Sequence, residues 1–532
     1  MAKIKIARNV LNGARERSML SIEERKQLSG LIGSESGKGN VNVDPSVLPM
    51  AYLKALLDDV RLTPNQRAVL ALQVHGMHGS DVDQQTIYET DVASPVEFGS
   101  VWTTLGTATP NCEVFWNGRW YPITVQVQFL KDELSLARSV VLYANLSVCE
   151  VHHRLAHRVV PEFFLDDEGN PQDCTVGSIV NQLGLRCVQM SAAEYNLKLV
   201  RAERTGRENG RTVLVGGPVM AFNDQAWWSR FESTSLGTPE SPRRAIVESE
   251  LEVDESERGY YAHTGGEGEA VSRLPFVRVF SLDKKRYVFA DVDDVAAYQF
   301  DENAMSKLHL PEEMLSVLTR VFATPVEDLF GDLIEGKHGG VVILASGNPG
   351  VGKTLTAEVY AEQSERPLYV LELGELGTNV SQVEENLSRV FTRVARWNAV
   401  LQFDECEIFL TERNEDLERS AIVGIFLRLL DYYNGILFLT TNRPEVLDHA
   451  VRSRVMLKLE YPDLDQAARS IIWDKMFGAA GLSLDEGTLE ELAESDINGR
   501  QIRNLSRLAR IQHPQGAVTL DEKRGVLEYG CA

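Results

Sequence analysis

A glycine-rich stretch between an apolar run and a helical segment holds the residue types that phosphate chemistry requires. Val341–Ala345 is apolar throughout, which predicts a buried parallel strand. The signature G-x-x-x-x-G-K-T follows from Gly347 to Thr354, and Leu355–Gln363 has the pattern of a helix. Glycines let backbone N–H groups point toward an anion, and a helix N-terminus faces the same anion. We therefore predict a phosphate-binding loop.

The residues of this loop have separate predicted roles. The Lys353 ammonium would reach the β- and γ-phosphates of ATP, and the Thr354 hydroxyl would bind Mg²⁺. A chance glycine-rich turn is the alternative, which the flanking strand and helix disfavour. The predicted nucleotide-contacting residues are Gly347, Asn348, Pro349, Gly350, Val351, Gly352, Lys353, Thr354 and Leu355.

Two acidic residues end a later apolar strand. The run Ala399–Phe403 leads into Asp404 and Glu405. Asp404 can hold the magnesium ion, directly or through water, and Glu405 can act as general base toward the attacking water. An acidic strand end without a role is the alternative, but its order and spacing after the phosphate loop favour the catalytic interpretation. Gln402 is an unusual polar residue within this strand.

Polar and basic residues follow the next strand, Ile436–Leu439. Asn442 is the residue that we predict to orient the attacking water, with Thr441 as the alternative. Arg452 and Arg454 come shortly afterwards. Arginine supplies a planar charge that stabilises a phosphoryl transition state, although two arginines on their own are more often surface charges.

The elements that must position these side chains alternate between strand and helix. Leu368–Leu373 has the pattern of a strand and Val383–Ala395 that of a helix. Such alternation predicts an α/β fold with a parallel sheet, in which ligands lie at the carboxyl ends of the strands. The phosphate loop, Asp404-Glu405 and Asn442 each follow a strand, so we expect the ligand at this edge of the sheet.

Composition limits the classes of function. The chain has 532 residues, is 43% hydrophobic and carries a formal net charge of −23, which disfavours extensive nucleic-acid binding. No apolar run is long enough to span a bilayer, and the first twenty residues are charged throughout, unlike a signal peptide. The six cysteines form no C-x-x-C pair, so we expect a reducing cytoplasm.

The first half has the composition of a mixed α+β region. Cys112–Gln128 alternates around Asn117-Gly118 and predicts a hairpin, whereas Ser233–Gly268 is rich in Ser, Pro, Gly and Glu and predicts a linker or mobile loop. The predicted organisation is a helical region at 1–90, a mixed domain at 91–232, the linker at 233–270, a hairpin and helix at 271–325, a nucleotide-binding unit at 326–462, and a helical unit with a tail at 463–532.

One group in the first half has the residue types of a metal site. Cys149, His153 and His157 would fall at successive turns of a helix. Zinc binding is conceivable, but no fourth ligand stands at a recognised spacing. A packed or solvated helix is therefore the preferred interpretation.

Taken together, the phosphate loop, Asp404-Glu405, Thr441-Asn442 and Ser453-Arg454 resemble an AAA+ ATPase module. The resemblance covers about Val326–Gln512 and is strongest to a subgroup of AAA-family ATPases of fungi and bacteria with a long N-terminal region. It implies a P-loop NTPase sheet with a helical AAA+ lid at Asp463–Arg510.

This resemblance also implies roles for individual residues. Asn442 would be the sensor 1 residue, and Arg500 would lie over the bound phosphates as sensor 2. Arg454, with Arg452 as a second candidate, would be an arginine finger that enters the neighbouring subunit's site. Members of the family commonly form hexameric rings, so a homo-oligomer is expected.

The chain departs from AAA+ protein translocases in one loop. Those proteins carry an aromatic-hydrophobic-glycine element after the second strand, whereas this chain places Asn379 where the aromatic residue would stand.

The main hypothesis is an oligomeric, Mg²⁺-dependent ATPase that remodels an unknown protein partner recognised by Met1–Ser272. A nucleotide-controlled assembly or signalling switch is the alternative, and a nucleic-acid motor is disfavoured by the acidic balance.

Overall fold

The structure is a computed structural model, and a set of separate ranges within it is described. These ranges are 4–32, 39–59, 61–75, 83–105, 110–116, 118–130, 140–149, 151–166, 168–170, 172, 174–221, 234–235, 241–248, 270–323, 340–407, 417–443, 448–479 and 486–512. The predicted tail after residue 512, the predicted start of the nucleotide-binding unit at Val326 and most of the predicted linker lie outside them. None of the helices within these ranges is both long and apolar enough to cross a membrane.

The N-terminal region contains a strand pair as well as the predicted helices. Strands β1 and β2 pair antiparallel, with Ile4 opposite Val43. The helical spacing of the surrounding sequence did not indicate these two short strands. The elements are β1 (Ile4–Ala7), α1 (Arg8–Arg17), α2 (Ile22–Ile32), β2 (Asn40–Val43), α3 (Met50–Leu57), α4 (Pro64–Val74), α5 (Gln84–Tyr88), β3 (Asp91–Val92) and α6 (Pro95–Trp102).

Short antiparallel sheets follow and share a core with these helices. The predicted hairpin is present as β4 and β5, with Val114 opposite Tyr121. Tyr52 of α3, Trp102 of α6 and Tyr121 of β5 are buried members of the same hydrophobic core. The elements are β4 (Cys112–Trp116), β5 (Arg119–Ile123), β6 (Gln126–Phe129), β7 (Val140–Val148), β8 (Val151–Val159), β9 (Cys174–Thr175), α7 (Val176–Gln182), β10 (Leu185–Arg186) and α8 (Ala192–Gly206).

The helix predicted through Cys149, His153 and His157 is wrong. His153 and His157 belong to β8, and Cys149 lies in the turn between β7 and β8. On a strand, residues four apart are separated by about 13 Å rather than one helical turn. The Cys149 thiol donates a hydrogen bond to the Phe276 carbonyl (3.1 Å). No cluster of three potential metal ligands occurs within the described part of the chain.

A seven-stranded antiparallel sheet, which we call the middle sheet, lies between this region and the second half. Its order is β13-β12-β17-β16-β14-β11-β18, and β15 instead pairs with β7. The hairpin that the sequence predicts within 271–325 is formed by β16 and β17. The elements are β11 (Thr212–Val215), β12 (Val219–Ala221), β13 (Thr234–Ser235), β14 (Arg243–Val247), β15 (Val271–Arg273), β16 (Phe276–Ser281), β17 (Arg286–Asp291) and β18 (Val295–Ala297).

Strand β14 corrects the prediction of a continuous linker across Ser233–Gly268. Its side chains alternate between two cores, as on any strand buried on both faces. Ala245 and Val247 pack in the core that contains Ala202 of α8, whereas Ile246 packs in a core of the second half. The flanking Ser, Pro and Glu residues gave this stretch the composition of a linker, although the last three of its five strand residues are buried.

The second half forms a parallel α/β unit followed by three helices. Among the described residues, five parallel strands have the order β20-β21-β22-β19-β23. The predicted α/β fold with a helical lid is therefore confirmed. The elements are α9 (Glu312–Ala323), β19 (Val341–Gly347), α10 (Lys353–Gln363), β20 (Leu368–Leu371), α11 (Val380–Arg396), β21 (Val400–Phe403), α12 (Leu417–Leu430), β22 (Ile436–Thr441), α13 (His449–Arg452), β23 (Leu457–Tyr461), α14 (Gln466–Ala479), α15 (Glu486–Glu494) and α16 (Gly499–Gln512).

Strand β19 is central in this parallel sheet. It is buried along most of its length and pairs with β22 on one side and β23 on the other. Parallel pairing places the carboxyl ends of all five strands at one edge. The phosphate loop after β19, Asp404 after β21 and Asn442 after β22 therefore meet there.

A buried carboxylate joins the middle sheet to the parallel α/β unit. Glu248 follows β14, and its side chain is fully buried. Its Oε2 accepts hydrogen bonds from the Trp397 indole N–H (2.9 Å), the Tyr287 hydroxyl (3.4 Å) and the Arg396 guanidinium. We call these four residues the Glu248 junction. It holds the end of α11 against the middle sheet.

The β16–β17 hairpin also covers the edge of the parallel sheet. Lys285 in its turn donates a hydrogen bond to the Val370 carbonyl of the edge strand β20. The Phe280 ring lies 5.8 Å from Tyr369 and 5.1 Å from Trp397, measured between ring centroids. An open sheet edge exposes unpaired main-chain groups, so this contact both protects the edge and fixes the middle sheet in place.

The Glu248 junction generates a prediction about stability. Replacing Glu248 by Ala removes the buried carboxylate that accepts hydrogen bonds from Arg396 and the Trp397 N–H. We expect the free energy of unfolding to fall by about 3 kcal/mol in urea titrations followed by tryptophan fluorescence. The matched control is Glu385→Ala on the exposed face of α11, where loss of the surface pair with Arg389 should cost less than about 1 kcal/mol. Equal effects of the two variants would contradict the assignment.

A second stability prediction concerns Gln402. This residue of β21 is fully buried, and neither polar atom of its amide has a hydrogen-bond partner among the described residues. Such groups lose hydration without compensation. Gln402→Met has a similar shape, so we expect thermal or urea unfolding to show a stabilisation of about 1 kcal/mol. Gln363→Met on the exposed end of α10 is the control, and a destabilised Gln402→Met protein would indicate an internal water partner.

Candidate nucleotide-binding site

The phosphate loop has a backbone that only glycine accommodates at two positions. Gly347 has a φ of 146°, and a Cβ atom there would lie 2.6 Å from the Tyr461 carbonyl oxygen. Gly350 has a φ of 82°, and its Cβ would lie 2.7 Å from Oδ1 of Asn498. The first position packs against the neighbouring strand and the second against the helical lid. The loop backbone therefore lies in close contact with β23 on one side and with the helical lid on the other.

Lys353 is the first residue of α10, and its ammonium group is held at the centre of the loop. Its Nζ donates to the main-chain carbonyls of Gly347 and Asn348 (2.7 Å each) and to Oδ1 of Asn442 (2.8 Å). Burial lowers the pKa of Lys353 because desolvation disfavours its charged form, while Asp404 opposes this shift. The lysine is thus positioned by the end of β22 as well as by its own loop.

Asp404 lies where the predicted magnesium ligands meet. Its Oδ1 accepts hydrogen bonds from the Thr354 hydroxyl (3.3 Å) and the Thr440 hydroxyl (2.5 Å). The Thr440 oxygen also accepts from the Glu405 N–H (3.1 Å), and Glu405 has a left-handed φ of 51°. Thr440 therefore fixes both acidic residues, one through its carboxylate and the other through its backbone.

The predicted sensor residues lie at the end of β22. Asn442 directs its Oδ1 toward Lys353, whereas the Thr441 hydroxyl donates to Oε1 of Glu407 (3.1 Å). The Asn442 N–H donates to the same Glu407 oxygen (2.8 Å). Of the two alternatives, Asn442 faces the phosphate loop and Thr441 supports the turn.

The helical lid contacts the phosphate loop directly. The Gly499 N–H donates to the Gly350 carbonyl (3.0 Å), and the Asn348 amide donates to Asp463 (2.7 Å). Arg500 lies in the first turn of α16, exposed and close enough for its charge to lower the pKa of Lys353. The charge of Arg500 therefore acts on the phosphate loop, and its sensor 2 role stays a prediction.

The two candidate finger arginines lie at α13. Arg452 is its exposed last residue. The Arg454 guanidinium donates to both carboxylate oxygens of Asp431 (2.7 and 2.9 Å) and to the Ala450 carbonyl (2.9 Å). Hydrogen bonding to Asp431 raises the pKa of Arg454. The Arg454 guanidinium is therefore held by Asp431 and Ala450.

The loop predicted to lack a threading element is compact. Asn379 caps α11, and its Oδ1 accepts a hydrogen bond from the Gln382 N–H (2.9 Å). The Thr378 N–H donates to the Gln382 side chain (3.2 Å). Asn379 thus has a local structural role that an aromatic residue could not perform.

The residues at this edge fit a magnesium–nucleotide complex. Thr354 and Asp404 offer oxygen ligands close together, which Mg²⁺ prefers, beside a buried ammonium group whose present acceptors are neutral oxygens. Sequence reasoning missed Thr440 and Glu407. Thr440 could have been found as a hydroxyl opposite the acidic strand end, and Glu407 as a third carboxylate in Asp404–Glu407.

Comparison with known proteins identifies this unit. Residues 343–463 match the family described as "ATPase family associated with various cellular activities (AAA)". Fidgetin-like protein 1 of Drosophila melanogaster is 29% identical over 192 residues, which cover 34% of this chain and 36% of that protein. A putative 26S proteasome regulatory subunit homolog of Methanothermobacter thermautotrophicus is 30% identical over 176 residues, covering 30% of this chain and 46% of the relative. The chain thus contains an AAA domain and spans less than half of these relatives.

Two solved structures align with the same share of the chain. The FIGL-1 AAA domain has 18% identity and a TM-score of 0.36, covering 43% of this chain and 85% of the other. A HORMA:CdnC:Trip13 complex from E. coli MS115-1 has 20% identity and a TM-score of 0.34, covering 43% of this chain and 90% of the other. At these TM-scores the alignments add nothing to the functional argument.

Lys353 provides the most direct test of nucleotide binding. Lys353→Ala removes the only positive charge that the phosphate loop itself supplies, so we expect ATP affinity to fall by about 10–100-fold. Titration with a fluorescent ATP analogue measures the change, and unfolding curves check that the fold remains. Lys458→Ala, at an exposed position of β23, is the matched control. Unchanged affinity in Lys353→Ala would refute the site.

Proposed function

We propose that this chain is an oligomeric ATPase that hydrolyses ATP with Mg²⁺ and uses the cycle to remodel a protein partner. The observation that carries the proposal is the hydrogen bonding of Lys353 to Asn442 at the edge where Asp404 and Glu405 also lie. A phosphate-binding group, a metal ligand, a base and a water-orienting amide are all required for hydrolysis.

Each residue has one role in this proposal. Lys353 and the loop N–H groups bind the β- and γ-phosphates, and Thr354 and Asp404 would hold Mg²⁺, which neutralises phosphate charge when bound. Glu405 removes the proton from the attacking water as general base. Asn442 orients that water, and Arg500 contacts the phosphates from the lid. The lid and loop are joined at Gly350, so nucleotide binding and lid position depend on each other.

The proposed assembly follows from Arg454. Its pairing with Asp431 leaves the side chain about one-third exposed, with a fixed orientation. A planar charge held in this way can stabilise the transition state in a neighbouring subunit. We propose a ring of identical subunits, most simply a hexamer, in which Arg454 rather than Arg452 is the main finger.

The proposed partner is a protein in the cytoplasm, bound by the region before the AAA domain. Asn379 offers little apolar surface to grip a threaded chain. The Glu248 junction and the covered edge of β20 favour a different route, in which rigid-body movement of the AAA domain carries the middle sheet with it. This route does not need the mobile linker that the sequence suggested.

The decisive experiment measures turnover and its dependence on assembly. Glu405→Gln keeps the shape and removes the base, so we expect ATP binding with at least ~100-fold slower hydrolysis. Arg454→Ala should also bind ATP and hydrolyse it poorly. Mixing the two should restore part of the activity, because a subunit with intact Glu405 then lies beside one that donates Arg454.

Four outcomes would change this interpretation. Normal hydrolysis by Glu405→Gln would assign the base elsewhere. Wild-type protein that binds ATP but completes only one turnover would favour the alternative of a nucleotide-controlled switch. A monomer whose turnover is independent of protein concentration would exclude the arginine finger, and stimulation by DNA or RNA would favour a nucleic-acid motor.

A further inference from the structure

A third carboxylate lies two residues beyond the proposed base. Glu407 follows β21 after Asp404, Glu405 and Cys406, and its Oε1 accepts hydrogen bonds from both the Thr441 hydroxyl (3.1 Å) and the Asn442 N–H (2.8 Å). These donors belong to the end of β22. One carboxylate oxygen therefore connects the ends of two neighbouring strands at the edge where the nucleotide would bind.

The Glu407 contacts hold the backbone from which the Asn442 side chain extends. With its N–H held by Glu407, Asn442 places Oδ1 2.8 Å from the Lys353 ammonium. The Thr441 hydroxyl donates to Glu407 and accepts from the Arg443 N–H (3.0 Å), so the turn is held on both sides of Asn442. One residue after β21 thus holds the backbone from which the Asn442 amide, just after β22, reaches Lys353.

A second set of contacts runs from β22 to the residues that follow β21. Thr440 of β22 holds Asp404 and the Glu405 backbone, which follow β21. In the other direction, Glu407 after β21 accepts a hydrogen bond from the Asn442 N–H. Each strand end therefore depends on the other, and a shift of either would move both the base and the water-orienting amide.

We infer that Glu407 is a positioning residue for ATP hydrolysis, acting through Asn442. The inference rests on the proposed function, because it assigns a role in that same reaction. Glu407 acts through the position of its acceptor oxygen and not as a second base. Misplacement of a reacting group by about 1 Å can reduce turnover by 10²-fold, so such positioning has a measurable effect.

Two substitutions distinguish the position of the Glu407 acceptor oxygen from the charge of its carboxylate. Glu407→Gln keeps Oε1 at the same reach and removes the charge, and we expect kcat to stay within about 3-fold of wild type. Glu407→Asp keeps the charge and shortens the side chain by one methylene, and we expect kcat to fall by about 10–100-fold. The KM for ATP should change little in both, because the phosphate-binding groups are untouched. Urea unfolding and ATP-analogue binding confirm that each variant is folded.

A double-mutant cycle tests the route through Asn442. If Glu407 acts by orienting this amide, Glu407→Asp combined with Asn442→Ala should be no slower than Asn442→Ala alone. Multiplying losses would show that Glu407 acts elsewhere. If Glu407→Gln is as slow as Glu407→Asp, the carboxylate charge is required and the positioning role is wrong.

Failure of the Glu407 positioning role can be distinguished from failure of the proposed ATPase function. Wild-type protein without sustained hydrolysis would refute the ATPase proposal and remove the reaction that Glu407 is inferred to support. Wild-type protein with sustained hydrolysis and a fully active Glu407→Asp variant would refute only the positioning role. Steady-state phosphate release measures the rate of ATP hydrolysis for the wild-type protein and for each variant.

Discussion

The buried ammonium group of Lys353 is the constraint on which the arrangement of the site depends. A desolvated charge is stable only where oxygen acceptors surround it, and here two main-chain carbonyls and the Asn442 amide do so. This requirement fixes the loop backbone and ties the end of β22 to the start of α10. Thr440 and Glu407 extend the same network to the acidic strand end, so binding and catalytic groups form one connected set.

The middle sheet and the AAA domain are joined by a shared hydrophobic core and by hydrogen bonds. Ile246 and Phe280 pack within the same core as Trp397 and the parallel strands. A buried carboxylate at Glu248 and a lysine on the sheet edge add directional contacts to this apolar packing. The two units therefore share a core, and a change in the orientation of one is transmitted to the other.

Sequence patterns predicted what depends on local residues and missed what depends on distant ones. The phosphate loop, its strand and helix, and the Cys112–Gln128 hairpin were predictable because their signals lie within a few residues. Strand β14 was missed because its burial comes from surfaces formed by residues far along the chain, such as Trp397. Cys149 and His157 were placed on a helix because a four-residue spacing fits one, although the pairing of β7 with β8 decides the structure. Asp404 and Asn442 were correctly expected to share an edge, but the role of Glu407 required the three-dimensional contact.

Helix α11 has a fixed point at each end, with the Asn379 cap at one and the Glu248 junction at the other. Each helical residue contributes about 100° of rotation and 1.5 Å of length. Inserting or deleting one residue within Val380–Arg396 would therefore rotate the Trp397 indole away from Glu248, or else turn the cap away from its loop. The number of residues in this helix is constrained independently of their identity, so related chains that keep the junction should vary in the sequence of its exposed face and not in its length.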